Sequence, residues 1–296
     1  RVHAMSVDVE EHFQVSAMEP AVSRVDWDRH PSRVAANTRR TLDLFDRHGV
    51  TATFFTLGWV AKRQPALVRD IVARGHELAS HGMGHQRVHT LSAGAFQADV
   101  RDSKALLEDI SGAPVRGYRA PSFSIDARTP WAHEVLRDCG YRYSSSVFPL
   151  KTDHYGMPEA PRFVYRPFDD DGFLEIPPTT AEVGGRRLPC AGGGYFRLLP
   201  VALFTRAMRR VVERDREACV FYFHPWEVDP DQPRVPGLGA RARFRHYLNL
   251  ARMQPRLEVL CDTFHWERID RVFPVEGVPR LANAADCGLS ALEAAS

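Results

Sequence analysis

Two carboxylates, three histidines and an arginine stand where apolar runs of the chain end. Asp8 and Glu10 close the run that begins Ala4-Met5-Ser6-Val7. In an extended strand, residues two apart share a face, so both carboxylates point the same way. Two close carboxylates need a cation or a proton to neutralise them. Glu11 alternates to the other face. His81 and His85 stand four apart in HGMGH, a spacing that faces two imidazoles alike on one helical turn and lets them share a divalent metal. No Glu follows His81, which excludes the HExxH arrangement. Two histidines and one carboxylate make a facial metal site with open positions, and the other carboxylate is then free to act as a base. Arg119 precedes Ala120-Pro121, where its guanidinium can hold a carboxylate in place. His224 follows Phe221-Tyr222-Phe223 at a strand tip, a position suited to a general acid. Each group has a plainer reading by itself. HxxxH can be two loop histidines, Asp8 and Glu10 surface acids, Arg119 a solvated cation and His224 a satisfied core histidine. His89 repeats the spacing, but Val88 and Leu91 turn it away.

Such groups act together only if separate strands deliver them to one place. Strands are expected near residues 5, 53, 78, 117, 143, 175, 221 and 259, the last over Leu257 to Cys261. Helices are expected over 32–48, 65–74, 92–110, 129–139, 203–215 and 241–253 between them. Pro65 opens one that Gly75 stops, the usual asymmetry, and Gly49 and Gly140 stop two others. Gly192-Gly193-Gly194-Tyr195-Phe196 reads as a flexible loop, not a phosphate loop, because no strand precedes it and no helix comes after it. Strands alternating with helices imply βαβ units and a parallel sheet. Eight strands suit an α/β barrel, whose chemistry sits at the C-terminal strand ends. The crossover between residues 143 and 175 lacks a helix, so the expected fold is a distorted or incomplete (β/α) barrel of seven to eight strands. A doubly wound open sheet is the alternative, but no GxGxxG follows the first strand. The barrel is expected over residues 1–274, and the Ala-rich residues 275–296 read as a tail.

Composition narrows the function classes. The 296 residues carry 39 basic and 37 acidic side chains, and only Lys62, Lys104 and Lys151 are lysines. Acids are interspersed with the arginines, which argues against a nucleic-acid surface. No run of 18 apolar residues encodes a transmembrane segment. The five cysteines are far apart and form no CxxC, which argues against a disulfide framework or a cysteine zinc site. Free thiols favour a reducing compartment, so a cytoplasmic location is expected. A periplasmic or secreted one stays open, because the sequence begins at Arg1.

Taken in order, SVDVE (residues 6–10), HGMGH (81–85), RAP (119–121) and FYFHP (221–225) resemble the motifs of the polysaccharide deacetylase family, the NodB-homology or carbohydrate esterase family 4 enzymes. The likeness runs from about residue 4 to 265. Asp8-Val9-Glu10-Glu11-His12-Phe13-Gln14-Val15 is similar to the first motif of the branch found beside exopolysaccharide and exosortase genes. Other members carry two adjacent acids, and here Val9 stands where the second would be. Strand alternation then gives the ligand role to Glu10, or leaves a two-histidine site completed by water.

The resemblance implies a metal-dependent N-deacetylase acting on an amino-sugar polysaccharide. His81, His85 and Glu10 would hold a divalent metal, zinc first among the candidates. Asp8 would be the base, Arg119 would orient it and His224 would be the acid. A backbone N–H near Tyr143 to Ser145 would steady the oxyanion. Substrate contacts are expected at Pro121, Phe123, Tyr143 and Trp226, with Trp59, Trp131, Tyr195 and Phe196 as further aromatic candidates. The N-acetylated glycan is the expected partner. Two alternatives remain: an amidohydrolase or deformylase acting on a small amide or lipid-linked sugar, and a non-catalytic glycan-binding module.

Overall fold

The computed structural model describes residues 1–152, 156–168 and 172–275. Strand β1 (Val2–Val9) is the centre of a parallel sheet. One side of the sheet runs through β2 (Thr53–Thr56), β3 (Glu77–Ser80), β4 (Gly117–Tyr118), β5 (Tyr143–Ser144) and β6 (Leu174–Glu175). A hairpin, β7 (Thr180–Val183) with β8 (Arg186–Pro189), stands apart from this sheet. Strand β9 (Val220–Phe223) returns to β1 and pairs Ala4 to Val7 with Val220 to Phe223. The last strand, β10 (His265–Glu267), pairs with Val2 to Ala4.

The sheet curls but does not close by a ladder. At the gap, the Thr179 backbone N–H donates to the Val220 carbonyl over 3.2 Å, and Thr179 Oγ1 accepts from the Val220 N–H at 2.6 Å. No helix joins β5 to β6 among the described residues. The fold is therefore an incomplete (β/α) barrel.

Helices pack outside the sheet. They are α1 (Val34–His48), α2 (Gly58–Arg63), α3 (Pro65–Ala73), α4 (Ala93–Ser111), α5 (Ala132–Asp138), α6 (Gly193–Leu198), α7 (Val201–Arg210), α8 (Ala240–Tyr247), α9 (Leu250–Thr263) and α10 (Ile269–Val272). Their ends reflect local chemistry. Ser92 caps α4 by accepting the Ala95 N–H at 3.2 Å. Gly49 ends α1 at φ 62°, a left-handed turn that favours glycine. Outward residues of β1, such as Val7 and Val9, join Leu42, Phe45, Phe54 and Phe223 in the main core. Inward residues Ser6, Asp8 and Glu10 are buried polar groups.

Three expectations are corrected. Leu257 to Cys261 is helix within α9, not a strand. Its buried residues Met253, Leu257, Leu260 and Cys261 recur at helical spacing, while Val259 is exposed, so a period of 3.6 decides over apolar content. The helix expected over 241–253 divides into α8 and α9, because Asn249 adopts a left-handed φ of 53° between them. Residues 193–198 form a helix, and Gly193 is buried against the Glu227 carboxylate, which a Cβ there would overlap. Apart from Val275, the tail expected over 275–296 lies outside the described residues. No described helix is long and apolar enough to cross a membrane.

Candidate active site

Asp8 and Glu10 leave the C-terminal end of β1 on the inner face. The next chain segment to reach them is the loop after β3. His81 and His85 share a side because Gly82 (φ 77°) and His85 (φ 54°) turn left-handed, not because the segment is helical. A Cβ on Gly82 would come within 2.8 Å of the half-buried Asp99 carboxylate, whose oxygens accept the Met83 N–H. His85 Nε2 lies 2.8 Å and His81 Nε2 3.6 Å from Glu10 Oε2. Ligand atoms of the three residues all lie within 4.8 Å of one another.

This donor set fits a divalent metal. The His81 Nδ1–H donates to the Arg119 carbonyl at 2.8 Å, which fixes the tautomer and leaves the Nε2 lone pair for a ligand. Glu10 Oε2 is buried without a hydrogen bond, although it sits in this cluster of nitrogens. Nearby cationic character also acts on Glu10. Burial would raise its pKa, but His85, His81 and His224 together hold it well below the usual carboxylate range.

Arg119 is fully buried. Its Nη1 donates to Asp8 Oδ1 at 2.7 Å and to Ser6 Oγ at 2.9 Å. Its other nitrogens donate to the carbonyl and hydroxyl of Ser145 at 3.1 and 2.9 Å, and the guanidinium lies 4.1 Å from the Phe55 ring centroid. The remaining Asp8 oxygen faces His224, with Nε2 3.9 Å from Oδ2 and 3.5 Å from Glu10 Oε1. Across the ring, the His224 Nδ1–H donates to Glu227 Oε1 at 2.8 Å, and Arg197 Nε donates to Glu227 Oε2 at 2.7 Å. Burial would lower the His224 pKa, but Glu227, Glu10 and Asp8 outweigh it and push the pKa to about 9.

Glu10, His81, His85, Asp8 and His224 line a cavity of about 200 Å³ whose walls include Phe123, Tyr222 and Trp226. Pro121 opens the tight turn that brings Phe123 there, with Ser122 and Phe123 both at positive φ. Trp226 stacks with His224 and with His246, with ring centroids 5.2 and 4.2 Å apart.

Tyr143 does not belong to the cavity. Its ring packs on Phe55 and beside Gly117, and its hydroxyl lies near Glu77, away from the carboxylates of β1. The backbone donors expected there are also taken. The Tyr143 N–H bonds the Arg116 carbonyl and the Ser145 N–H the Tyr118 carbonyl, both as sheet bonds. Trp59 packs on Phe13 and Trp27, Trp131 on Phe96, and Phe196 lies in the core.

Three partners were not anticipated from the sequence: Glu227, Arg197 and Ser145. Glu227 alone carried a signal, an acid three residues after His224 at the start of a short helix, as in a capping box.

Residues 20–144 match the family model described as polysaccharide deacetylase, and residues 145–274 match a domain of unknown function, DUF3473. The first match contains His81, His85 and Arg119, and the second contains His224. Over residues 20–144 the chain is thus similar to the polysaccharide deacetylase family.

A chitooligosaccharide deacetylase from Sinorhizobium fredii is 38% identical over 100 residues, 33% of this chain and 44% of that protein. A peptidoglycan-N-acetylglucosamine deacetylase from Bacillus cereus is 34% identical over 105 residues, 36% of this chain and 47% of that protein. The match thus spans less than half the length of either. A structure from Mycobacterium smegmatis, assigned as a polysaccharide deacetylase, superposes with a TM-score of 0.60 at 20% identity, over 95% of this chain and 92% of that one. That likeness shows the shared barrel fold. Asp8 and Glu10 precede the family match, and their place in the site rests on the geometry of β1.

Proposed function

We propose that this chain is a metal-dependent hydrolase that removes N-acetyl groups from an amino-sugar polysaccharide of the exopolysaccharide or cell-wall type. The observation that carries the reading is the convergence of Glu10, His81 and His85 beside two separately supported proton carriers, Asp8 and His224. Glu10, His81 and His85 would hold the metal, and their two imidazoles and one carboxylate suit zinc. When bound, the metal would polarise the amide carbonyl and acidify water.

The chain's own groups divide the proton work. Arg119 fixes Asp8 Oδ1, leaving Oδ2 to take a proton from the attacking water. Ser6 and Ser145 hold the guanidinium in the plane that makes this possible. His224 Nε2 faces the same space and gives its proton to the departing amine. Glu227 holds the ring by Nδ1 and keeps it charged, and Arg197 fixes Glu227 in turn. The C–N bond breaks, the acyl carbon leaves as acetate and the sugar keeps a free amine.

Product identity tests the reaction class. On N-acetylglucosamine oligomers the zinc-loaded protein is expected to release acetate and an equal amount of free amine. Formate or a ureido acid from small amides, with no acetate from oligomers, would overturn the reading. So would glycan binding without any product.

A further inference from the structure

The two histidines of the candidate metal site are held differently. His81 is fixed by its ring, through Nδ1 on the Arg119 carbonyl. His85 Nδ1 is buried and, among the described residues, has no hydrogen-bond partner. Its Nε2 is therefore aimed by the backbone that carries the ring. That backbone is left-handed, at φ 54°, a conformation that a residue with a Cβ keeps only where its surroundings hold it. The first half of the loop is held by the start of α2, where the Gly58 and Trp59 N–H groups donate to the Gly82 and Met83 carbonyls, each at 2.8 Å. The second half is held from a different element. Arg24 Nη2 donates to the His85 carbonyl at 2.8 Å, across 61 residues of sequence.

Packing places Arg24 there. It opens the short helical segment Arg24–Arg29, in the connection between β1 and α1. Trp27 of this segment is buried and packs edge-on against Trp59, with ring centroids 5.7 Å apart. Asp28 pairs with Arg63 of α2 at 2.6 Å. The helix that holds Met83 thus also holds the segment that carries Arg24. Glu19 lies 3.6 Å from Arg24 Nη2 and pairs at 2.5 Å with Arg87, two residues past His85. We propose that Arg24 is a positioning residue for the metal site: its guanidinium fixes the His85 backbone in the left-handed turn and so aims Nε2 at the metal. The inference rests on the metal reading above for what His85 binds, but not for the link between Arg24 and His85.

Three forms of the whole chain test this: wild type, Arg24→Gln and Asp28→Asn. Zinc affinity is measured by competition with a chelating dye. Peptide-level hydrogen exchange over residues 82–86 and the melting temperature are measured on the zinc-free protein. Arg24 is exposed, so Arg24→Gln leaves the core intact, and the zinc-free melting temperature is expected to change little. Zinc affinity is expected to fall about tenfold, as when a group that orients a metal ligand is lost. Exchange over 82–86 is expected to quicken by about three- to tenfold, the worth of one hydrogen bond. Asp28→Asn is the control. It breaks the neighbouring ion pair with Arg63, leaves the bond to the His85 carbonyl in place, and is expected to keep wild-type zinc affinity.

Wild-type zinc affinity or wild-type exchange in Arg24→Gln would overturn the proposal. An equal loss of zinc affinity in Asp28→Asn would also overturn it, by showing that any loosening of the segment has the same effect. A wild-type chain that binds no zinc, with exchange over 82–86 still quickened in Arg24→Gln, would overturn the metal reading and leave the link between Arg24 and His85 standing. Tight zinc binding by the wild type that Arg24→Gln does not weaken would do the reverse.

Discussion

His224 sits among three carboxylates, and its neighbours decide what it can do. Burial alone would make it neutral, but Glu227, Glu10 and Asp8 push its pKa to about 9. Glu227 is itself buried, which would raise its pKa, yet Arg197 and His224 hold it at about 2. A general acid must carry its proton, so activity is expected to persist through neutral pH and fall as pH rises past the His224 pKa. The same raised pKa contributes stability that is full below pH 6.5 and lost as pH rises through about 9. Glu227→Gln removes one anion from the ring. The alkaline limb of the kcat/KM profile is then expected to move to lower pH, with a loss of about 10–100-fold at its former plateau. An unmoved limb would remove Glu227 from the site.

Elements explain why these atoms meet. Asp8, Glu10, His81, Arg119 and His224 were legible because each ends a strand, and the strand-end rule needs only the apolar runs and the polar residues at their C-terminal ends. The HGMGH loop was legible in composition but not in conformation, since its left-handed glycine and histidine replace the helical turn that the spacing suggested. Gly82→Ala is expected to cost about 1–3 kcal/mol in chemical unfolding, because φ 77° and the Asp99 carboxylate 2.8 Å away both oppose a Cβ. Metal affinity should fall with it. Arg197 and Glu227 were not legible together, because 30 residues separate them and tertiary packing alone joins them. Leu257 to Cys261 misled for a different reason. A short apolar run fits strand and buried helix alike, and only the longer repeat from Met253 distinguishes them.

At the scale of the molecule, the incomplete barrel gathers one site from its first strand, a loop after its third and the strand that returns beside the first. Glu10, His81 and His85 therefore tie β1 to the loop after β3, and zinc binding should stabilise the whole fold. At zinc about 100 times its Kd the gain is expected to be about 2.7 kcal/mol, read as a rise in Tm. His81→Ala should abolish that rise, and an undiminished rise in this variant would place the metal elsewhere. The division of labour between Asp8 and the metal donors is tested most directly by Asp8→Asn. Acetate release from N-acetylglucosamine oligomers and bound zinc are measured on the same preparation. The variant is expected to keep zinc at the wild-type ratio and to lose turnover by about 10²-fold or more, the worth of a general base. Wild-type turnover in Asp8→Asn would contradict the assignment of Asp8 as the base.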